Sequence, residues 1–250
     1  QGYIIFKPKN FNYLKNLRNI MVNEVQKTCK LDKKLLKNPD HFLNNFHKYI
    51  KKENLNKYRL EILKRINSSK DFKRNYFYSA KEMLYSIIGN ELVMQTRINL
   101  SIQTPNDSSS LLPVHSDIWS GDSPFEMVVW VPLVNCYSSK TMYILQPEKY
   151  KKIYKNFSKF TGNSSAEFFG KIKKMVKWIN INFGEVMIFN QALPHGNIVN
   201  KEKETRWSMN CRFKSIFSPY GDKKIGEFFE PITLRVASEI GMKYELPKIK

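Results

Sequence analysis

Residues 111–133, LLPVHSDIWSGDSPFEMVVWVPL, combine a polar pair with a long apolar run. The run that begins at Phe125 is nearly continuous and rich in β-branched residues, which is typical of a strand buried on both faces. Before it, His115 and Asp117 are separated by one residue. Side chains at i and i+2 of an extended backbone project to the same side. The stretch therefore predicts an imidazole and a carboxylate side by side, next to a core strand.

The apolar pattern changes its period near residue 90. Before that point apolar residues such as Leu14, Leu17 and Met21 fall on helical stripes and predict an N-terminal helical region. After it, apolar and polar residues alternate, most clearly in TRWSMNCRF, residues 205–213. Helices followed by many short strands predict an α+β protein whose core is a double-stranded β-helix, the cupin-like jelly roll.

The chain shows neither an internal repeat nor a linker rich in proline, glycine or serine, so we expect a single domain over residues 1–250. It would consist of a helical N-terminal region at 1–90, a jelly-roll core at 91–216 and a tail at 217–250 packed on the core. Residues at about 147–180 contain basic amphipathic pieces and predict an insertion in the core.

The formal net charge of +20 admits two interpretations. A basic surface suits nucleic acid or an anionic substrate, but the lysines are spread along the chain and favour a solvated surface. No nucleic-acid recognition motif is present, so no nucleic-acid partner is expected. Three distant cysteines without a CxxC pair indicate reduced thiols. With no apolar run of membrane-spanning length and no signal-peptide pattern, we expect a cytoplasmic location.

A third metal ligand is expected at His195 in the stretch ALPHGNIVN. Two histidines and one carboxylate, with the remaining positions open, are the ligand set of non-haem iron(II) oxygenases. A keto acid bound there would need a charged partner for its distal carboxylate. Arg206 suits this role because a guanidinium binds a carboxylate with two parallel hydrogen bonds, and Ser208 follows on the same strand face. Each residue alone is weak evidence, whereas the combination with His115 and Asp117 is specific.

This combination resembles the iron(II)/2-oxoglutarate-dependent dioxygenases, in particular their phytanoyl-CoA-hydroxylase-like branch, over roughly residues 95–215. The stretches LLPVHSDIWSGDSPFEMVVWVPLVNC, TMYILQP, PHGN and GEFFEPI look like the oxygenases of sporadic bacterial carbohydrate biosynthesis clusters. The resemblance implies Fe(II), O2 and the cosubstrate 2-oxoglutarate. It further implies hydroxylation of a small carbohydrate-related metabolite, an anionic or nucleotide-linked sugar among the candidates, with release of succinate and CO2.

Further site residues are expected around this centre. Beside Arg206 and Ser208, cosubstrate contacts are expected from Gln103 and Asn197, with Asn99 as another candidate. Substrate contacts are expected from Trp119, Asp122, Tyr143 and Arg212. A carboxylate at position 117 favours oxygenation over halogenation, because related halogenases are expected to carry a small residue there.

Two other functions are compatible with the sequence. One is a non-catalytic cupin-like module that binds a metal or a sugar, and the other is a basic protein that binds nucleic acid. Desaturation, ring closure and epimerisation share the first half of the hydroxylation chemistry. The substrate, the position oxidised and the oligomeric state are not encoded in any motif.

Overall fold

The computed structural model describes residues 1–156 and 164–247 and has an α+β architecture. The helices are α1 (Asn12–Cys29), α2 (Pro39–Asn44), α3 (Leu55–Ser68), α4 (Lys70–Ile87), α5 (Pro147–Tyr154), α6 (Ser165–Ile172) and α7 (Val236–Met242). The strands are β1 (Tyr3–Phe6), β2 (Leu92–Gln95), β3 (Asn99–Gln103), β4 (Met127–Pro132), β5 (Met142–Ile144), β6 (Lys177–Trp178), β7 (Val186–Asn190), β8 (His195–Asn197), β9 (Arg206–Ser215) and β10 (Phe229–Thr233).

The strands form two antiparallel sheets. The larger sheet has the order β1-β7-β4-β9-β2-β10, and β3 also pairs with β9. The smaller sheet has the order β6-β5-β8. A cavity lies between them, lined by residues of β3 and β9 from the larger sheet and of β5 and β8 from the smaller one. Side chains from both sheets therefore meet inside the two-sheet core.

Strand β9 is the centre of the larger sheet. It pairs with β4 along one edge and with β3 and then β2 along the other. Its apolar face is fully buried, with Trp207, Met209, Cys211 and Phe213 each 0% exposed. Because side chains alternate along a strand, its polar residues project to the opposite face, and those from Arg206 to Arg212 line the cavity.

The N-terminal helices cover the apolar face of this sheet. Their stripes are buried as the spacing predicts, with Leu14, Leu17 and Met21 each 0% exposed. Two buried hydrogen bonds fix the helices on the strands: the Tyr76 hydroxyl of α4 donates to the Val129 carbonyl at 2.8 Å, and the Trp207 indole donates to the Leu43 carbonyl at 3.0 Å. The helical region thus buries one face of β9 and leaves the other to the cavity.

One segment differs from the expectation, and two others add detail to it. The helical region begins with a strand, β1, whose residues Tyr3–Phe6 pair with β7. The C-terminal stretch GEFFEPI contains all of β10 except its last residue, and β10 pairs with β2. The expected insertion contains α5, α6 and β6, while its residues 157–163, like residues 248–250 of the tail, lie outside the described residues. Among the described residues, no helix has both the length and the apolar character of a bilayer span.

Candidate metal centre

Backbone pairing brings the two histidines together. His115 and His195 form an antiparallel bridge outside the longer strand pairs, with N–H···O distances of 3.0 and 2.8 Å between them. Their ring centroids lie 4.4 Å apart. Ser116 is extended (φ −121°, ψ 133°), so Asp117 projects to the side of His115, and the chain then turns into a short 3-10 helix at Asp117–Ser120.

These three side chains form a compact ligand group. The ligand atoms of His115, Asp117 and His195 all lie within 4.8 Å of one another, and the Nε2 atom of His115 is 3.5 Å from Oδ1 of Asp117. Within residues 1–156 and 164–247 it is the only group of His, Cys, Asp or Glu arranged in this way. Two nitrogens and one oxygen on one side of a cavity suit a transition metal with open positions.

Hydrogen bonds to the backbone orient both imidazoles. Nδ1 of His115 lies 2.8 Å from the Pro113 carbonyl oxygen, and Nδ1 of His195 lies 2.8 Å from that of Leu193. Because a carbonyl oxygen only accepts, each Nδ1 must carry the proton, which leaves the Nε2 lone pair for a metal. Burial, reinforced by the neighbouring His115, lowers the pKa of His195 to about 4, so this ring is neutral at physiological pH.

Arg212 contacts the carboxylate of Asp117 through the oxygen that does not face His115. Nη2 of Arg212 lies 2.9 Å from Oδ2 of Asp117 and 3.4 Å from Oδ2 of Asp122. Its Nε donates to Oε1 of Gln191 at 2.9 Å. Lys223 approaches the other oxygen of Asp122 at 2.5 Å. The Arg212 charge is therefore matched by carboxylates, and Asp117 is held with its Oδ1 toward His115.

The cavity in front of this centre has a volume of about 360 Å³, and buried polar side chains line one end of it. Arg206 is 2% exposed and donates to the Thr141 carbonyl at 2.9 Å and to the Ser101 hydroxyl at 2.8 Å. Its Nε and the Ser208 hydroxyl have no hydrogen-bond partner among the described residues. A buried unpaired donor is unfavourable by about 1–3 kcal/mol, so this end of the cavity is suited to an anionic ligand. Burial lowers the pKa of Arg206 to about 10, which still leaves it charged at neutral pH.

The structure brings some of the expected site residues to the cavity and leaves others outside it. Asn197, Arg206, Ser208 and Arg212 line it together with the three candidate ligands, as does Asn99. Four others are absent from its lining, namely Gln103, Trp119, Asp122 and Tyr143.

Each of these four has a different environment. Gln103 is fully buried and its amide donates to the Ile198 carbonyl at 2.6 Å. Tyr143 stacks on Phe169 with 4.7 Å between ring centroids, and Trp119, which is 43% exposed, lies against Phe168. Asp122 lies in the ion-pair group behind Asp117.

Sequence reasoning missed two parts of the cavity wall. Arg59 of α3 reaches the cavity, and so does the loop at residues 109–112. Helical spacing separates the buried and solvated faces of α3, but it does not tell which solvated residue meets a distant loop. In the sequence, Gly196 stands out only as the neighbour of His195 in PHGN. A Cβ atom there would lie 2.7 Å from the Tyr143 hydroxyl and 2.9 Å from the Leu112 carbonyl, so the close approach of β8 to this loop requires glycine.

No family model and no curated protein matches this sequence. Solved structures do match. The nickel complex of the non-heme monooxygenase ThoJ aligns with a TM-score of 0.57 at 12% identity, over 93% of this chain and 81% of ThoJ. This chain has the fold of ThoJ.

The apo form of ThoJ gives a TM-score of 0.58 at 11% identity over the same shares of both chains. HygX from Streptomyces hygroscopicus, with nickel and 2-oxoglutarate bound, aligns less well, with a TM-score of 0.47 at 14% identity over 67% of this chain and 79% of HygX. The ThoJ similarity confirms the predicted α+β class with its cupin-like jelly-roll core.

Proposed function

We propose that this protein is an iron(II)- and 2-oxoglutarate-dependent oxygenase that hydroxylates a small, carbohydrate-related molecule. The observation that carries the proposal is the content of one cavity. Three ligand atoms suited to a metal meet within 4.8 Å, and the same cavity holds a buried arginine and a buried hydroxyl whose donors find no partner in the part of the chain that the structure describes. The ThoJ fold, which belongs to a protein described as a non-heme monooxygenase, supports the same class.

The residues fit both groups that the reaction requires. Two imidazole nitrogens, from His115 and His195, and one carboxylate oxygen, from Asp117, match the facial ligand set of iron(II). The unpaired Nε of Arg206 and the Ser208 hydroxyl match the distal carboxylate of 2-oxoglutarate, since an arginine fork and a hydroxyl both donate to carboxylate oxygens. When bound, iron(II) and 2-oxoglutarate supply the oxidising chemistry, with O2 consumed and succinate and CO2 released.

The protein contributes orientation, charge and a partly dry cavity. Arg212 fixes the rotamer of Asp117, and the two backbone carbonyls fix both imidazoles. Apolar side chains form one part of the wall, namely Leu100, Val128, Trp130, Met142 and Phe189. These residues limit water near the metal ligands and strengthen the interactions of Arg206 with an anion.

Another part of the wall is polar and suits a substrate rich in hydroxyl groups. Asn99 donates to Asn210 at 2.9 Å, and both side chains line the cavity. Their remaining amide groups can exchange hydrogen bonds with sugar hydroxyls. Together with the resemblance of the sequence to carbohydrate-cluster oxygenases, this supports a carbohydrate-related substrate.

Because all three cysteines are free thiols, we also propose a cytoplasmic location.

The proposal is tested by titrating the full chain anaerobically with Fe(II) and then with 2-oxoglutarate. We expect iron-dependent binding of 2-oxoglutarate, and succinate formation in air. Asp117→Ala should lose metal binding. Arg206→Gln should weaken 2-oxoglutarate binding by about tenfold to hundredfold, since a hydrogen bond to a charged group contributes about 1.5–3 kcal/mol.

Arg74→Gln is a matched control, because Arg74 is 67% exposed and its one ion pair within residues 1–156 and 164–247 is with Asp71 on its own helix. Equal affinity for 2-oxoglutarate in Arg206→Gln and the wild type would contradict the cosubstrate site. Metal binding with no consumption of O2 or 2-oxoglutarate under any substrate would instead identify the non-catalytic cupin-like module.

A further inference from the structure

The charges that line the cavity are not balanced. Three guanidinium groups, those of Arg59, Arg206 and Arg212, share the lining with one carboxylate, that of Asp117. The excess is two positive charges when both imidazoles are neutral ligands. On the proposed function, Fe(II) and the 2-oxoglutarate dianion carry equal and opposite charges, so their binding leaves this excess in place. A low-dielectric cavity with such an excess favours an anionic ligand.

The three arginines differ in what already neutralises them. Arg212 lies between the carboxylates of Asp117 and Asp122. Arg206 is the partner that the proposed function gives to the distal carboxylate of 2-oxoglutarate. Only Arg59 remains, because among the described residues its guanidinium forms no ion pair.

The guanidinium of Arg59 has N–H donors available for a ligand at the rim of the cavity. The side chain is half-buried. Its Nη2 donates to Oδ1 of Asn56 at 2.6 Å, and its Nη1 lies 3.4 Å from the Ser110 hydroxyl. Both partners are neutral, and the second contact is long, so N–H donors of the guanidinium stay available for an anion.

The loop at residues 109–112, whose Ser110 lies next to Arg59, is anchored to the rest of the protein. Asp107 is 2% exposed, pairs with Lys52 at 3.0 Å and accepts a hydrogen bond from the Ser109 hydroxyl. The Leu112 backbone N–H donates to Oδ1 of Asn197 at 2.8 Å. Arg59 therefore lies beside an anchored loop at the cavity, where its planar guanidinium can bind an oxyanion.

We propose that the primary substrate carries an oxyanion, a phosphate or a carboxylate, and that Arg59 binds it at the rim of the cavity while the rest of the substrate extends toward the metal ligands. This proposal rests on the proposed function and assigns the substrate class of the same site. The charge of Arg212, from which the sequence predicts a substrate contact, is already matched by Asp117 and Asp122.

The test uses the full chain with Ni(II) and 2-oxoglutarate bound at the proposed metal and cosubstrate sites. A hexose phosphate, a hexuronate and the neutral hexose are titrated separately by calorimetry. We expect at least one of the anionic sugars to bind more tightly than the neutral hexose. Arg59→Gln should weaken that binding by about tenfold to hundredfold. Arg59→Lys, which keeps the charge but loses the planar fork, should fall between the two. The Arg74→Gln control should bind like the wild type, and comparing the two anionic sugars distinguishes phosphate from carboxylate.

The same affinities in the wild type and Arg59→Gln for all three sugars would overturn the proposal, as would a preference for the neutral hexose. Failure of the proposed function looks different, because Ni(II) and 2-oxoglutarate would then not bind to the wild type. In that case the three sugars, titrated into the metal-free protein, decide the role of Arg59 by the same comparison.

Discussion

Removing the charge of Arg212 should destabilise the metal-free protein strongly. In Arg212→Met the side chain keeps its length but loses its contacts with Asp117 at 2.9 Å, with Asp122 at 3.4 Å and with Gln191 at 2.9 Å. The exposed fractions of the side chains are 14% for Arg212, 9% for Asp117 and 1% for Asp122, so solvent screens these contacts little. Removing one partner of a buried ion pair costs about 3–5 kcal/mol.

The lower end of that range applies here. Lys223 still contacts Asp122 at 2.5 Å in the variant, so only Asp117 loses its charged partner. We therefore expect the free energy of unfolding to fall by about 3 kcal/mol. For a chain of this length the melting temperature should drop by about 6–12 °C.

The measurement is urea unfolding at neutral pH with a chelator present, so that no metal replaces the lost charge. Arg74→Met is the matched control: its ion pair with Asp71 is exposed on both sides and should contribute less than about 1 kcal/mol. In an Asp117→Asn background the cost of Arg212→Met should be at most about half as large, since the buried carboxylate is gone. A loss within about 1 kcal/mol of the control, or full additivity in the double variant, would refute the reasoning.

Two further predictions test the frame of the site. Gly196→Ala should lower the free energy of unfolding by about 1–3 kcal/mol, because its methyl group would overlap the Leu112 carbonyl. Gly170→Ala in α6 is the control and should not lower it, because a Cβ there meets nothing within 4 Å. Equal urea midpoints for the two variants would contradict the overlap. The Lys140 ammonium, 2.7 Å from Glu204, lowers the pKa of that carboxyl. The stabilisation that this ion pair gives to the folded protein is therefore complete above the pKa of an unfolded glutamate, about 4.3. It is lost as the pH falls through the lower pKa that Glu204 has in the folded protein. The unfolding free energy of the wild type should drop more steeply than that of Lys140→Met on acidification below that pH, and parallel curves would exclude this pair as the cause.

The two-residue period of TRWSMNCRF predicts the strand, its buried face and its polar face, and the structure has all three in β9. The alternation is sufficient because each residue of a strand has only two directions to choose from. The four residues of β1 are too few for such a pattern, and they form a strand because the edge of β7 supplies hydrogen-bonding partners. Because so short a segment has no clear period of its own, the sequence predicts it only as part of the N-terminal helical region.

By itself the sequence determined which residue types are present, how they alternate and which of them share a face. That was enough to predict the α+β jelly roll and to nominate His115, Asp117, His195, Arg206 and Ser208. The tertiary structure decided which charges are already matched. Spacing places Arg212 on the same strand face as Arg206, but only packing shows that Asp117 and Asp122 neutralise it. Packing also shows that Arg59, from a helix far away in the chain, lines the cavity without an ion pair to any described residue. Local periodicity fixes the direction of a side chain, whereas its partner is set by elements that meet only after folding.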